Sequence, residues 1–195
     1  MASRSFAAAL LVLPLWAGAA ELDGVKLEDQ VRVDGQALHL NGMGLRTRYF
    51  FKVYVAGLYL PHKAGTADAA IDAAGAKRIV LVMRREASAD EFCASIDAGL
   101  RANNSEGQLE QVKGQTEALY AMIRAKAHAH TGMQIVLDYA PSSGATTLYA
   151  DEAALGPAMP GEDFFRALLR IWLGAHPVQT DLKESLLGQR QAAAN

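Results

Sequence analysis

The longest strand signal in the sequence, residues 46–60, does most to limit what this chain can fold into. The segment is dense in tyrosine, phenylalanine and valine, which favour extended backbone. Lys52 and Gly57 interrupt it, so it lacks the uniformly apolar character of a membrane span. Pro61 closes it, since a proline cannot donate a hydrogen bond to a sheet ladder. We therefore expect a fold that contains a sheet, with a long strand in this segment.

Two pairs of shorter strand signals flank tight turns. Asp34-Gly35 separates residues 31–33 from residues 37–40, and this dipeptide favours the primed turns of a two-residue hairpin. Residues 135–139 and 146–150 surround a Pro-Ser-Ser-Gly loop with the composition of a second hairpin turn. The sequence therefore predicts two antiparallel pairs of strands.

Helix signals lie between these strands. A buried strand over residues 78–83 precedes Ser88 and Glu91, whose spacing is that of a capping box and predicts a helix reaching about Ala102. Apolar residues at helical spacing predict another helix over residues 108–126. Two short helices are expected as well, over residues 67–74 with Thr66 as cap and over residues 180–187 with Thr180 as cap.

The most hydrophobic helix signal covers residues 164–172. Its apolar residues recur at i, i+3, i+4 and i+7 with a second apolar side, so the helix is expected to be deeply buried and to end at Gly174. Hairpins grouped around helices predict an α+β fold with an antiparallel sheet.

Composition limits the remaining classes of protein. With 51% hydrophobic and 21% charged residues over 195 positions, the chain can bury the core of one domain. Its 19 basic and 21 acidic residues form no block of like charge, so no nucleic-acid partner is expected. Cys93 is the only cysteine, which excludes an intramolecular disulfide, and its helical surroundings favour a small buried hydrophobe over a nucleophile.

The first twenty residues have the pattern of a secretory signal peptide. Arg4 is a positive n-region, residues 6–16 are an apolar h-region, and Ala17-Gly18-Ala19 is an A-x-A site, with cleavage expected after Ala19 or Ala20. The apolar run is shorter than the roughly 20 residues of a spanning helix. We expect a periplasmic or secreted protein that does not span the membrane after cleavage. The predicted organisation is a signal peptide over residues 1–20, one domain over residues 21–188 and a frayed tail over residues 189–195.

Two stretches, residues 40–60 and 164–183, carry a family resemblance. The first reads LNGMGLR and continues to KVYVAGLYL, and the second runs from FFRALL through WLGAHPV to a Leu-Lys pair. With the order of the elements between them, they resemble the bacterial branch of the chalcone isomerase-like family over nearly all of the mature chain. The resemblance implies an open-faced β-sandwich, a large antiparallel sheet with helices layered on one side and a ligand cleft between them.

The resemblance also implies a set of cleft residues. Plant chalcone isomerases close a flavanone ring with an arginine that holds a phenolate, and Arg46 matches that arginine. Their threonine in the following strand falls on Tyr54, and their active-site tyrosine and asparagine fall on Phe92 and Gly99, which lack the polar groups. A hydroxyl position falls on Ile171. Ile96 and Trp172 complete the predicted ligand-binding set, although their periodicity fits a core role equally well.

Arg46 and Tyr54 are the main candidates for ligand contact. Plastid relatives without isomerase activity bind fatty acids through an arginine and a tyrosine at the matching positions, and a guanidinium beside apolar strands needs an anion. In a straight strand the two residues would lie about 26 Å apart, so a shared site requires a chain reversal near residues 47–50. Otherwise Arg46 pairs with a carboxylate or carbonyl at the core edge, and Tyr54 is a core aromatic.

Two functions follow as hypotheses. The first is an exported, non-catalytic binding protein for a fatty acid or similar amphipathic carboxylate. The alternative is a chalcone isomerase-like intramolecular lyase acting on an enone, in which Arg46 stabilises oxyanion charge with help from Tyr54. A structural module of the cell envelope is a third class. No cofactor or metal is expected, since His128 and His130 lack further ligands, and the oligomeric state is left open.

Overall fold

The computed structural model describes residues 18–190. The strands are β1 (Ala19–Leu22), β2 (Val25–Glu28), β3 (Gln30–Val33), β4 (Gln36–Arg48), β5 (Phe51–Leu60), β6 (Lys77–Met83), β7 (Ala87–Ser88), β8 (His128–Ala129), β9 (Gln134–Ala140), β10 (Ala145–Ala150), β11 (Ala153–Ala154) and β12 (Met159–Pro160). The helices are α1 (Ala67–Ile71), α2 (Ala89–Asn103), α3 (Glu106–Gln111), α4 (Lys113–Lys126), α5 (Glu162–Leu173) and α6 (Thr180–Leu186). Both predicted hairpins are confirmed, as β3–β4 and β9–β10.

The main sheet is antiparallel, and its strands follow the order β11-β10-β9-β6-β5-β4-β3, with β12 beside β10. Alternate side chains point to opposite faces of a strand. On β5, Ala56 and Leu58 pack with the helices, whereas Val55 and Tyr59 pack in a second cluster with Val25 of the β1–β2 hairpin. The predicted α+β fold, a large antiparallel sheet with helices on one side, is confirmed.

Helix α5 is the centre of the helical layer. Its aromatic and aliphatic residues are almost fully buried, among them Phe164, Phe165 and Leu169 at 0% exposure, as the sequence predicted. Gly174 caps its C-terminus. Helix α2 packs across it, and a Cβ on Gly99 would lie 2.7 Å from Ile171 Cγ2, so only a glycine permits this separation of the two helices.

The Asn-Gly-Met-Gly stretch of β4 docks the last helix. Asn41 is the extra residue of a β-bulge, and its buried amide donates to the carbonyls of Ala64 at 3.0 Å and Leu186 at 2.7 Å. A Cβ on Gly42 would lie 2.0 Å from the Ser185 carbonyl oxygen, so the backbone of α6 rests directly on the strand here. These residues therefore have a structural role, since they join the first stretch of the family resemblance to α6.

Three helix predictions need correction. The helix predicted over residues 108–126 is two helices, because the buried Val112 leaves helical geometry at φ −109° and ψ 11°. The Thr66 helix is capped as predicted but ends at Ile71, whose side chain is buried at its C-terminus. Thr180 is the first helical residue of α6 and not its N-cap. Gln179 takes the N-cap position, and its side-chain oxygen accepts from the Thr47 backbone N–H instead of capping the helix.

Parts of both predicted terminal segments lie outside the described residues. For the signal peptide these are residues 1–17, and β1 already pairs with β2 from Ala19 onwards. In the predicted tail, Gln189 donates to the Gly65 carbonyl at 2.6 Å, and residues 191–195 are not described. None of the helices within residues 18–190 has the length and apolar character needed to cross a bilayer.

Candidate functional site

Arg46 and Tyr54 are direct partners across the β4–β5 hairpin. The chain turns between Arg48 and Phe51, with Tyr49 at φ 55°, so the expected single strand over residues 46–60 is divided between two strands. The chain reversal that a shared site required near residues 47–50 is therefore confirmed. Residues opposite each other in an antiparallel pair have Cα atoms only about 5 Å apart, and their side chains share one face.

A β-bulge in β5 adds a second side chain to this face. Arg46 pairs with Tyr54 while Thr47 pairs with Lys52, so Val53 is the extra residue on β5. Val53 and Tyr54 consequently both line the same cavity despite being neighbours in sequence. The bulge thus forms a corner of the site next to Arg46.

A cavity of about 560 Å³ lies between this end of the sheet and helices α2 and α5. Every residue predicted for the site lines it, namely Arg46, Tyr54, Phe92, Ile96, Gly99, Ile171 and Trp172. Its floor is apolar, formed by side chains of β6, β9, β10 and α5 such as Leu81, Leu137 and Leu168. A smaller void of about 30 Å³ adjoins it and shares Phe92 with it.

The Tyr54 hydroxyl is a buried polar group in the wall of the cavity. It accepts a hydrogen bond from Trp172 Nε1 at 2.9 Å, which leaves its own hydrogen free to be donated. Burial raises the pKa of Tyr54, against the lowering influence of the Trp172 bond and of the nearby Arg46 charge. Tyr54 is therefore a neutral phenol at physiological pH and can act as a donor towards an anion.

The Arg46 guanidinium is half-buried and held from one side. Its Nη1 donates to the Thr47 carbonyl at 2.7 Å and to Gln179 Oε1 at 3.3 Å. Within residues 18–190 no carboxylate lies within 4.0 Å of the guanidinium, and its other side faces the Tyr54 hydroxyl closely enough to oppose the rise that burial causes in the pKa of that phenol. The alternative predicted for Arg46 is thus met in part, since a backbone carbonyl and a glutamine side chain accept from it, but no carboxylate of the described residues pairs with its charge.

Three charged side chains and a histidine at the mouth of the cavity were not predicted as site residues. The mouth is formed by Arg48, Arg85, Glu91 and His176, which line the cavity at its solvent side. Glu91 is held in the capping box of α2, and the backbone hydrogen bond from Ser88 is the main reason that its pKa is lowered, with Arg85 and Arg48 adding to this effect. The alternation of Arg46 and Arg48 on one strand was a signal that could have identified Arg48.

Gln179 was also missed. It lies before α6, and its Oε1 accepts from the Thr47 backbone N–H at 2.9 Å as well as from Arg46. Its Nε2 donates to the Leu45 carbonyl at 3.3 Å. This one amide therefore fixes the end of β4 that presents the arginine, and no local sequence pattern indicates a contact over 132 residues.

The other chemical candidates lie apart from the cavity. Cys93 is buried in the core, and burial raises the pKa of its thiol, as expected for a packing residue. His130 Nε2 lies 3.2 Å from Asp151 Oδ2 at the surface. Across the described part of the chain, no group of three or more histidine, cysteine, aspartate or glutamate side chains could hold a metal ion.

Known proteins with the same fold are found by comparison. A family model described as chalcone isomerase-like matches residues 19–188. The crystal structure of a fatty-acid binding protein from Arabidopsis thaliana matches with a TM-score of 0.69 and 13% sequence identity, over 88% of this chain and 97% of that chain. At this identity the likeness is one of fold. No curated protein sequence matches the chain.

Proposed function

Because the chain belongs to the chalcone isomerase-like family, we propose that it is an exported, non-catalytic protein that binds a fatty acid or a similar amphipathic carboxylate. The observation that carries this proposal is the position of Arg46, directly across from Tyr54 beside an apolar cavity of about 560 Å³. The carboxylate is placed at these two residues and the hydrocarbon tail on the apolar floor.

The donors at this end of the cavity suit a carboxylate. No carboxylate of the described residues pairs with Arg46, and a guanidinium fork binds the two oxygens of a carboxylate in parallel. Tyr54 adds a neutral O–H on the same face of the hairpin. Such a charge-assisted arrangement holds an anion without requiring proton transfer, which is what reversible binding needs.

The remainder of the cavity suits an alkyl chain. Ligand pockets typically enclose roughly 300 to 1,000 Å³ and have mainly apolar walls, and this cavity falls within that range. The structurally similar Arabidopsis protein is itself a fatty-acid binding protein, which supports the proposed ligand class.

Export is part of the proposal and depends on the sequence of residues 1–20. A positive residue, an apolar run and an A-x-A site follow one another there. The absence of a second cysteine is compatible with this, because an oxidising compartment cannot then form a wrong intramolecular disulfide.

The isomerase alternative has less support. The positions that carry polar groups in plant enzymes are occupied by Phe92, Gly99 and Ile171, all of which line the cavity. Arg46 and Tyr54 alone could stabilise negative charge on an enone oxygen. A measurable cyclisation rate that is lost in Arg46→Gln would favour catalysis over simple binding.

Fluorescence titration tests the binding function. After signal cleavage Trp172 is the sole tryptophan, and it lines the cavity, so its emission should change when a long-chain fatty acid enters. Arg46→Gln should weaken binding by about 1.5 to 3 kcal/mol, the contribution of a hydrogen bond to a charged group. Arg101→Gln is the matched control, since Arg101 is exposed and pairs with Asp97 at 2.8 Å on the outer side of α2.

The ligand head group provides a second control. A fatty alcohol of equal length should bind wild type and Arg46→Gln with similar affinity, because it has no charge for the arginine to meet. If native mass spectrometry of the purified protein finds no bound amphiphile and fatty acids leave the Trp172 emission unchanged, the proposal is wrong.

A further inference from the structure

The tip of the β4–β5 hairpin exposes three consecutive aromatic residues. Tyr49 is 83% exposed, Phe50 97% and Phe51 63%, and they are the only exposed large hydrophobic residues among residues 18–190. We call these three residues the aromatic tip. Contiguous exposed apolar surface marks an interaction site more often than a plain solvent-facing turn.

The backbone of the aromatic tip strengthens this interpretation. Tyr49 has φ 55°, in the left-handed region that bulky residues rarely adopt. Two-residue hairpin turns normally place glycine or asparagine at such a position. Tyr49 is a large aromatic residue at a strained turn position, and its side chain faces solvent. Packing within the chain does not explain this residue, which points to a contact with a partner.

Two arginines flank the aromatic tip and stack on it. The Arg48 guanidinium lies 5.8 Å from the centre of the Tyr49 ring, and the Arg85 guanidinium lies 5.9 Å from the centre of the Phe51 ring. In the described part of the chain neither guanidinium has a carboxylate within 4.0 Å. Aromatic rings and unpaired cations are therefore presented together on one surface.

The charge around the aromatic tip is positive although the whole chain has a net charge of −2. Asp23 is shared between Lys52 and Arg84 and so neutralises only one of them. The basic side chains nearby are Arg46, Arg48, Lys52, Arg84 and Arg85, and the acidic ones are Asp23, Glu86 and Glu91. The excess of basic groups complements an anionic partner.

The aromatic tip lies next to the mouth of the cavity. Arg48 and Arg85, which stack on the tip, also line the mouth of the cavity, and Val53 lines it two residues beyond Phe51. Whatever surface the tip contacts will therefore lie next to the opening. An amphipathic ligand that enters or leaves there would have only a short path through water.

We propose that the aromatic tip docks the protein on a lipid bilayer whose surface carries anionic headgroups. Phe50 and Phe51 enter the interfacial region, and Arg48 and Arg85 contact the phosphates. Aromatic side chains favour the membrane interface, and basic residues add attraction to anionic lipid. A convex tip with its most exposed ring at the apex suits a deformable lipid surface better than the flat patch of a protein partner. The use of docking for ligand transfer rests on the proposed function, but the docking itself does not.

Vesicle co-sedimentation tests docking with the protein recovered after native processing. Vesicles of phosphatidylglycerol and phosphatidylethanolamine should bind the wild type, and vesicles of phosphatidylcholine alone should bind it less. The double variant Phe50→Ser, Phe51→Ser should lower the partition coefficient at least about tenfold. Arg48→Gln should lower it about fivefold, as should Arg85→Gln, and high salt should abolish this difference.

Control variants show whether a loss of vesicle binding is specific to the aromatic tip. Lys113→Gln changes an exposed cation on α4, remote from the aromatic tip in the fold, and should leave vesicle binding unchanged. All variants pass through the same processing, so the N-terminus is the same in each. The tip side chains are exposed, so thermal unfolding should not change in the serine variant, which separates lost docking from lost folding.

The outcomes separate docking from the proposed function. If the protein binds anionic vesicles through the aromatic tip but no fatty acid, docking stands and the proposed function fails. If it binds fatty acid but vesicle binding is the same with and without the tip aromatics, docking is overturned. It is also overturned if sedimentation velocity shows that the tip holds two copies together and Phe50→Ser releases monomers that bind vesicles no less well.

Discussion

The Tyr54 hydroxyl and the Trp172 indole are joined by a hydrogen bond of 2.9 Å inside the cavity. It connects the central strand β5 to the buried helix α5, so the two layers of the fold meet at the point where we place the ligand head group. The same atom, the Tyr54 oxygen, thus serves both the packing of the protein and the candidate site.

Tyr54→Phe separates these two roles. The variant leaves Trp172 Nε1 buried without its acceptor, so we expect the free energy of unfolding to fall by about 1 to 3 kcal/mol and fatty-acid affinity to fall by about 1 kcal/mol. Denaturant unfolding and fluorescence titration measure the two changes. Tyr59→Phe is the control, because Tyr59 donates to the Glu28 carbonyl at 2.9 Å on the opposite face of the sheet. It should lower stability and leave ligand affinity unchanged.

Gly99→Ala tests the close approach of α2 and α5. The added methyl group would lie 2.7 Å from Ile171 Cγ2 and 3.3 Å from its Cβ, and a β-branched side chain has little freedom to move away. We expect a loss of about 1 to 3 kcal/mol in the free energy of unfolding. Gly107→Ala on α3 meets no atom within 4 Å and should be neutral or stabilising. Equal effects of the two substitutions would contradict this account of the helix contact.

The ion pair between the buried Lys77 and Glu162 should make the stability of the protein depend on pH. Lys77 is fully buried and lies 2.9 Å from Glu162 Oε1. Burial raises the pKa of Glu162, but the hydrogen bond and charge of Lys77, with the charge of Arg166, outweigh it, and the pKa is lowered. A carboxyl whose pKa is lower in the folded state stabilises the protein above its unfolded pKa of about 4.3 and loses this contribution as the pH falls through the folded value.

Glu162→Gln should remove this acid-sensitive contribution. We expect unfolding at pH 7 to become easier by about 2 kcal/mol, the contribution of a hydrogen bond to a charged group, with a much smaller difference near pH 3. Thermal unfolding at several pH values measures it. Asp163→Asn is a neighbouring control with a side chain that is 76% exposed, and a loss as large as that of Glu162→Gln would contradict the assignment to the buried lysine.

The sequence predicted elements whose signals are local. The capping box of Ser88 and Glu91, the Asp34-Gly35 hairpin and the periodicity of α5 each involve residues a few positions apart, and all are present in the structure. The turn after Arg48 carried no local signal, since tyrosine and phenylalanine favour strands. The sequence predicted a strand through this point, and a turn was only the condition for Arg46 and Tyr54 to share one site.

Other features depend on contacts that no local pattern reports. Val112 is buried and leaves helical geometry at the junction of α3 and α4, and periodicity alone could not separate this junction from a continuous helix. The mouth residues Arg85 and His176 come together only through the packing of distant elements. Gln179 was assigned no role because its partners on β4 lie more than a hundred residues away.

The Gln179 amide makes the candidate site depend on the C-terminal part of the chain. Arg46 is held by a residue that lies more than a hundred positions after β4, and α6 packs on β4 at Asn41 and the glycines beside it. A chain that ends before residue 179 can still pair β4 with β5, but it lacks the amide that holds Arg46. The end of the cavity at which we place the head group is therefore complete only when the segment carrying Gln179 has folded onto β4.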